Sequence, residues 1–178
     1  MEKRNDIEIN KIVVALKQLQ SCNQKDTTFR SIATAFTKTI NANTFYLKTI
    51  CNNNPSNYYE RYFKTNERIE PHSIVYVDLT IGYPKELRYG HWCYVYKVLN
   101  GKALILPLTS IKDYRRNLKV QELEIVVCNN GMLTPSIMRL DEMRWIDIQR
   151  IDLKHAVPEK IQTPELVIKE KIKKFLNL

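Results

Sequence analysis

Five short blocks follow one another between Ile74 and Asp147 and hold side chains whose types and spacing could do chemistry. They are IVYVDL at 74–79, Gly82 with Glu86, GHWCYV at 90–95, LILPLTS at 104–110 and RLDEMRWID at 139–147. An imidazole titrates near neutrality, so His91 can act as a base or an acid. Thr109 ends a strand-like run with a hydroxyl. Arg139 and Asp141 are two residues apart, which sets a cation and a carboxylate on one face of an extended segment. A surface ion pair is the plainer reading of those two.

Charge is concentrated around the same blocks. The net charge is +9, and between Tyr83 and Lys119 the bases Lys85, Arg88, Lys97, Lys102, Lys112, Arg115, Arg116 and Lys119 face only Glu86 and Asp113. Tyr83, Tyr89, Trp92 and Tyr114 are interleaved with them. Such a band suits a polyanion with exposed bases, because cations neutralise phosphates and aromatic faces stack on bases. A solvated surface over ordinary core aromatics fits the same charges.

Composition excludes several other classes. The 178 residues carry enough apolar side chains for one domain, or one small domain with an extension. No apolar run reaches the roughly 18 residues of a membrane span, and MEKRNDIEIN lacks the apolar region of a secretory signal. A cytoplasmic protein with no membrane contact is therefore expected. Cys22, Cys51, Cys93 and Cys128 form no C-x-x-C pair, so no metal site, redox motif or cofactor is expected.

The elements that must position these residues change character along the chain. Ile7, Ile9, Ile12, Val13, Leu16 and Leu19 have helical spacing, with Asn5-Asp6 as a possible cap. A second helix is expected to begin with Asp26, Thr27 or Thr28 as cap and to bury Phe29, Ile32, Ala33, Phe36 and Ile40. Thr44 to Cys51 reads as a short third helix before the breaker NNNPSN. The segment Tyr58–Lys64 is aromatic and basic, and either docks the extension or stacks on RNA.

From Ser73 the pattern turns strand-like, with runs at 94–99, 103–108, 118–128 and 136–140 and the hairpin signal Asn100-Gly101. A final helix is expected after Thr163 as cap and Pro164 at the first position, with Leu166, Val167, Ile168, Ile172, Phe175 and Leu176 inward. The fold class is α+β: a helical extension over 1–70 and a compact antiparallel β-barrel with a C-terminal helix over 71–178.

The order and spacing of the five blocks resemble the MazF/PemK/Kid family of toxin endoribonucleases. That family's pattern runs strand, Gly-x-Glu, Arg-Pro before a Val-rich strand, Pro-x-Thr-Ser, then Arg-x-Asp-Gln-x-Arg-x-Ile-Asp. The resemblance extends from about Pro71 onward and implies an SH3-like barrel closed by a C-terminal helix; the helical extension lies outside it. It implies cleavage of single-stranded RNA without a metal by 2′-hydroxyl attack, leaving a 2′,3′-cyclic phosphate and a 5′-hydroxyl. A homodimer neutralised by a cognate antitoxin protein is implied as well.

By that resemblance His91 occupies the position of the catalytic arginine, five residues after Glu86, and Trp92 that of the following proline. Thr109 would hydrogen-bond the scissile phosphate, and Arg139 and Asp141 inherit acid and base roles. Lys85, Arg88, Ser110, Lys112, Arg115, Arg116 and Arg144 are the expected RNA-binding residues. Glu86 is expected to order its loop, and Glu142 stands where the family has glutamine. Two other functions fit the same barrel: a non-catalytic nucleic-acid- or protein-binding module, or a gyrase poison of the CcdB kind.

Overall fold

A computed structural model of the chain describes residues 2–22, 26–45, 69–82, 85–111, 117–129, 132–152 and 159–178. Of the short helix expected at 44–51, Thr44 and Phe45 belong to the preceding helix and the rest lies outside the described residues, as does the segment at 58–64. The chain divides into two compact units, Met1–Tyr58 and Tyr59–Leu178.

The first unit holds helices α1 (Glu2–Ser21) and α2 (Asp26–Phe45). Both begin earlier than their expected caps. Glu2 to Arg4 are good helix formers and carry α1 past Asn5-Asp6, while Asp26 to Thr28 form the first turn of α2. The expected buried stripe of α2 is only partly so. Ala35 is its buried residue, Phe29, Ile32, Ala33 and Phe36 are half-buried, and Ile40 is exposed.

Among its described residues, the second unit is an antiparallel sheet with one α-helix. Its strands are β1 (Ser73–Asp78), β2 (Gly90–Leu99), β3 (Lys102–Ser110), β4 (Glu122–Asn129), β5 (Met132–Arg139), β6 (Arg144–Asp147) and β7 (Glu159–Ile161), followed by α3 (Glu165–Leu176). Neighbours run β2-β1-β7-β4-β5-β3-β6, and β2 also pairs with β3. The sheet therefore curls back on itself. It is barrel-like without being a uniformly closed barrel, because β7 joins β1 and β4 through only two residue pairs on each side.

Strands β1 to β3 are apolar on both faces, and two cores explain why. Ile74, Tyr94, Leu106 and Leu108 point to one core with Ile125, Val127 and Met138, closed by Ile168 and Ile172 of α3. Val75, Val77, Cys93, Val95, Ala103 and Ile105 point to the other, under Ile146 and Ile151. Each Val, Leu, Ile or Met among them contributes about 1.5–3 kcal/mol on full burial. A bulge between Val95 and Lys97 flips the alternation, so that Val98 rejoins the second core and Lys97 is exposed.

Local chemistry sets the connections. Asn100 and Gly101 have φ of 48° and 72°, the paired left-handed residues that a tight β2–β3 hairpin needs. Gly90 allows the Tyr76 ring to cross it: a Cβ there would lie 2.0 Å from the Tyr76 hydroxyl. Gly90→Ala is expected to destabilise the protein by about 1–2 kcal/mol in urea denaturation, and much less in a Tyr76→Ser background.

Two expectations for the last helix are corrected. Pro164 is the N-cap and gives no side-chain cap, whereas the Thr163 hydroxyl accepts from Val126 N–H at 2.9 Å and ties the helix start to β4. The inward face is Ile168 and Ile172 with half-buried Phe175; Leu166, Val167 and Leu176 are exposed. Among the described residues, no helix is long and apolar enough to cross a membrane.

Candidate functional site

The β1–β2 loop is closed at its base by backbone bonds, Leu79 N–H to Tyr89 O and Tyr89 N–H to Thr80 O, each 2.8 Å. Inside it Glu86 lies over Gly82, where a Cβ would come within 2.6 Å of Glu86 Oε2. Lys85 is exposed and Arg88 half-buried. His91 follows as the second residue of β2, opposite Val77.

Register brings the expected residues to one face. The β2–β3 pairing ends at Cys93↔Pro107, and His91 and Thr109 each lie two residues beyond it, on the faces of Cys93 and Pro107. Thr109 pairs with Ile137 of β5, two residues before Arg139. Strand alternation then sets His91, Thr109 and Arg139 on the same face, beyond the edge of the second core. Ser110 is on the opposite face, across from Ser136. Lys112, Arg115 and Arg116 lie outside the described residues.

Arg139 and Asp141 do meet, but by another route than the extended segment expected. Strand β5 ends at Arg139, and Asp141 sits in a single 3₁₀ turn, Leu140–Glu142. The pair is bidentate: Arg139 Nε donates to Asp141 Oδ1 at 3.0 Å and Nη2 to Oδ2 at 2.7 Å. Hydrogen bonding to Arg139 holds the Asp141 carboxyl below its ordinary range, and the same bond holds Arg139 above its own. Buried Glu122, opposite Arg139 in β4, adds to the shift on Arg139 and accepts from Lys119 N–H at 3.0 Å.

A carboxyl whose folded pKa is lowered stabilises the protein above its ordinary value of 3.8, and that contribution is lost as pH falls through the lower folded value. Asp141→Asn is expected to cost about 0.2–1 kcal/mol at pH 7, since the pair is partly exposed. Urea denaturation in steps below pH 4 should show the difference closing.

A second clasp sits beside the first. Glu142 receives Arg144 Nη2 on Oε2 and Leu87 N–H on Oε1 at 3.3 Å, joining the β1–β2 loop to the start of β6. Arg144 also donates from Nε to the Glu142 carbonyl at 3.4 Å. The expected RNA contact of Arg144 thus competes with an internal partner. Cys93, on the same face, is buried and its thiol is pushed well above its ordinary range by desolvation, only partly offset by Arg144. Burial therefore disfavours the thiolate that a nucleophile needs.

Behind this face is a cavity of about 210 Å³ that reaches Thr109 and Ser110 and also meets Trp92, Thr134 and Ser136. The sequence gives no signal for the last two: Thr134 lies before the strand run expected from Ser136, and only the structure sets both in β5. Nor does it signal the link from Glu142 to Leu87, which are 55 positions apart. Among the described residues, no group of three His, Cys, Asp or Glu side chains could hold a metal ion. No family model matches the chain, and no curated protein matches it.

Proposed function

We propose that the sheet unit is a metal-independent endoribonuclease of single-stranded RNA, a toxin of the MazF/PemK/Kid type. The observation that supports it best is the shared face of His91, Thr109 and Arg139, with Asp141 bound to Arg139. The curled antiparallel sheet with its C-terminal helix agrees with an SH3-like barrel. Homodimerisation, a cognate antitoxin and a cytoplasmic location rest on the family resemblance.

Cleavage requires removal of the 2′-hydroxyl proton, charge stabilisation at phosphorus and a proton for the departing 5′-oxygen. In this reading the His91 imidazole takes the proton as the 2′-oxygen attacks phosphorus. Arg139 and the Thr109 hydroxyl bind the nonbridging oxygens. The phosphorus–5′-oxygen bond breaks, and the leaving oxygen gains a proton from solvent. Asp141 orients the Arg139 guanidinium, because a carboxylate bonded to arginine through both oxygens is a poor base.

That closed ion pair also favours the second reading, a binding module without catalysis. Incubating the protein with a long single-stranded RNA in EDTA and mapping the ends separates the two. Cut strands ending in 2′,3′-cyclic phosphate and 5′-hydroxyl are expected. RNA that is retained but uncut would sink the nuclease reading and leave the module.

A further inference from the structure

Resting on the RNA reading above, we propose that the cavity beside Thr109 is a nucleobase pocket that receives one base of the bound strand. Its size is the first argument. At about 210 Å³ it is smaller than the roughly 300 Å³ at which pockets for drug-sized ligands begin. A single planar heterocycle suits it, and a long acyl chain does not.

Its lining is the second. Ile74, Leu108 and Val127 form an apolar floor, and they belong to the core that α3 closes. Ser110 and Ser136 are cross-strand partners, and Thr134 follows on the same face of β5, so strand alternation gathers three hydroxyls at the rim. Thr109 also meets the cavity, but its side chain belongs to the opposite face of β3. Every hydroxyl both donates and accepts, which matches the mixed edge of a base. None of the lining side chains is charged, so a phosphate or a carboxylate has no counter-charge there.

Trp92 supplies the third argument. It lines the cavity with an indole, the kind of surface on which bases stack. The ring is held in place: Tyr76 meets it edge to face, with centroids 5.6 Å apart and planes at 77°. Tyr76 in turn lies over Gly90, where no side chain fits. The platform is therefore built before any ligand arrives. Thr109 and Ser110 are consecutive at the end of β3, so the face that carries His91 and Arg139 and the cavity lie on the two sides of that strand end, where a bound strand can reach both.

The test uses the intact protein and needs no cleavage. Trp145, exposed on β6, is replaced by phenylalanine so that Trp92 is the remaining tryptophan fluorophore. The protein is titrated with 2′-deoxytetranucleotides of each single base, which lack the attacking hydroxyl, and with an abasic tetranucleotide. At least one base-bearing oligonucleotide should give a saturable change in Trp92 emission, and the abasic one should give none. Combining Thr134→Val with Ser136→Ala should weaken that binding about tenfold or more. Equal responses to abasic and base-bearing strands, no response to any, or no effect of the double substitution would overturn the pocket. The outcome is independent of the nuclease reading: an uncut RNA with intact base binding defeats that reading alone, and cleavage without a base-dependent signal defeats this one.

Discussion

Replacing His91 by alanine should slow RNA cleavage by about 10²–10⁴-fold, the usual contribution of one positioned proton-transfer group. That range corresponds to about 3–5 kcal/mol of barrier. The fold should survive, because His91 lies at the start of β2 and belongs to neither core. An unchanged thermal midpoint beside a lost rate would therefore separate chemistry from unfolding. His91→Arg replaces the imidazole with a permanent cation that takes up no proton. Its rate should stay well below that of the wild type. Equal rates for wild type and His91→Ala would move proton transfer to Asp141 and Arg139.

The sequence carries the fold where local chemistry decides it. Asn100-Gly101 specifies a hairpin because both residues tolerate positive φ, and both have it. The helix boundaries shift because propensity and capping compete within one turn: good helix formers carry α1 upstream, and the Thr163 hydroxyl is taken by Val126. Arg139 and Asp141 could be paired from spacing alone, yet the pairing came through a 3₁₀ turn rather than an extended segment. A two-residue interval satisfies both geometries, so spacing cannot tell them apart. Long-range features had no local signal. The cavity draws its lining from β1 to β5, and half-buried Trp92 is an ordinary strand aromatic until Tyr76 and Gly90 are seen beside it.

Glu142→Ala should lower stability by about 2–4 kcal/mol in urea denaturation, because it removes the acceptor for two groups at once. Leu87 N–H loses Oε1, and Arg144 loses the carboxylate that holds it; the two side chains of that pair are only 29% and 10% exposed. Proteolysis should then cut the β1–β2 loop faster, since the Leu87 bond is its tie to the start of β6. Glu142→Gln tests the charge separately from the clasp. Its amide oxygen can still accept one of the two donors, so the stability loss should be smaller. Arg144 is then released from a full negative charge and can neutralise a phosphate, which steepens the salt dependence of single-stranded RNA binding by about 0.7 in log–log slope. Tighter binding at low salt with that steeper slope would identify the Glu142–Arg144 pair as a brake on RNA affinity. If the slope stays the same while the alanine variant is destabilised, the pair acts on the loop alone and Arg144 is not an RNA contact.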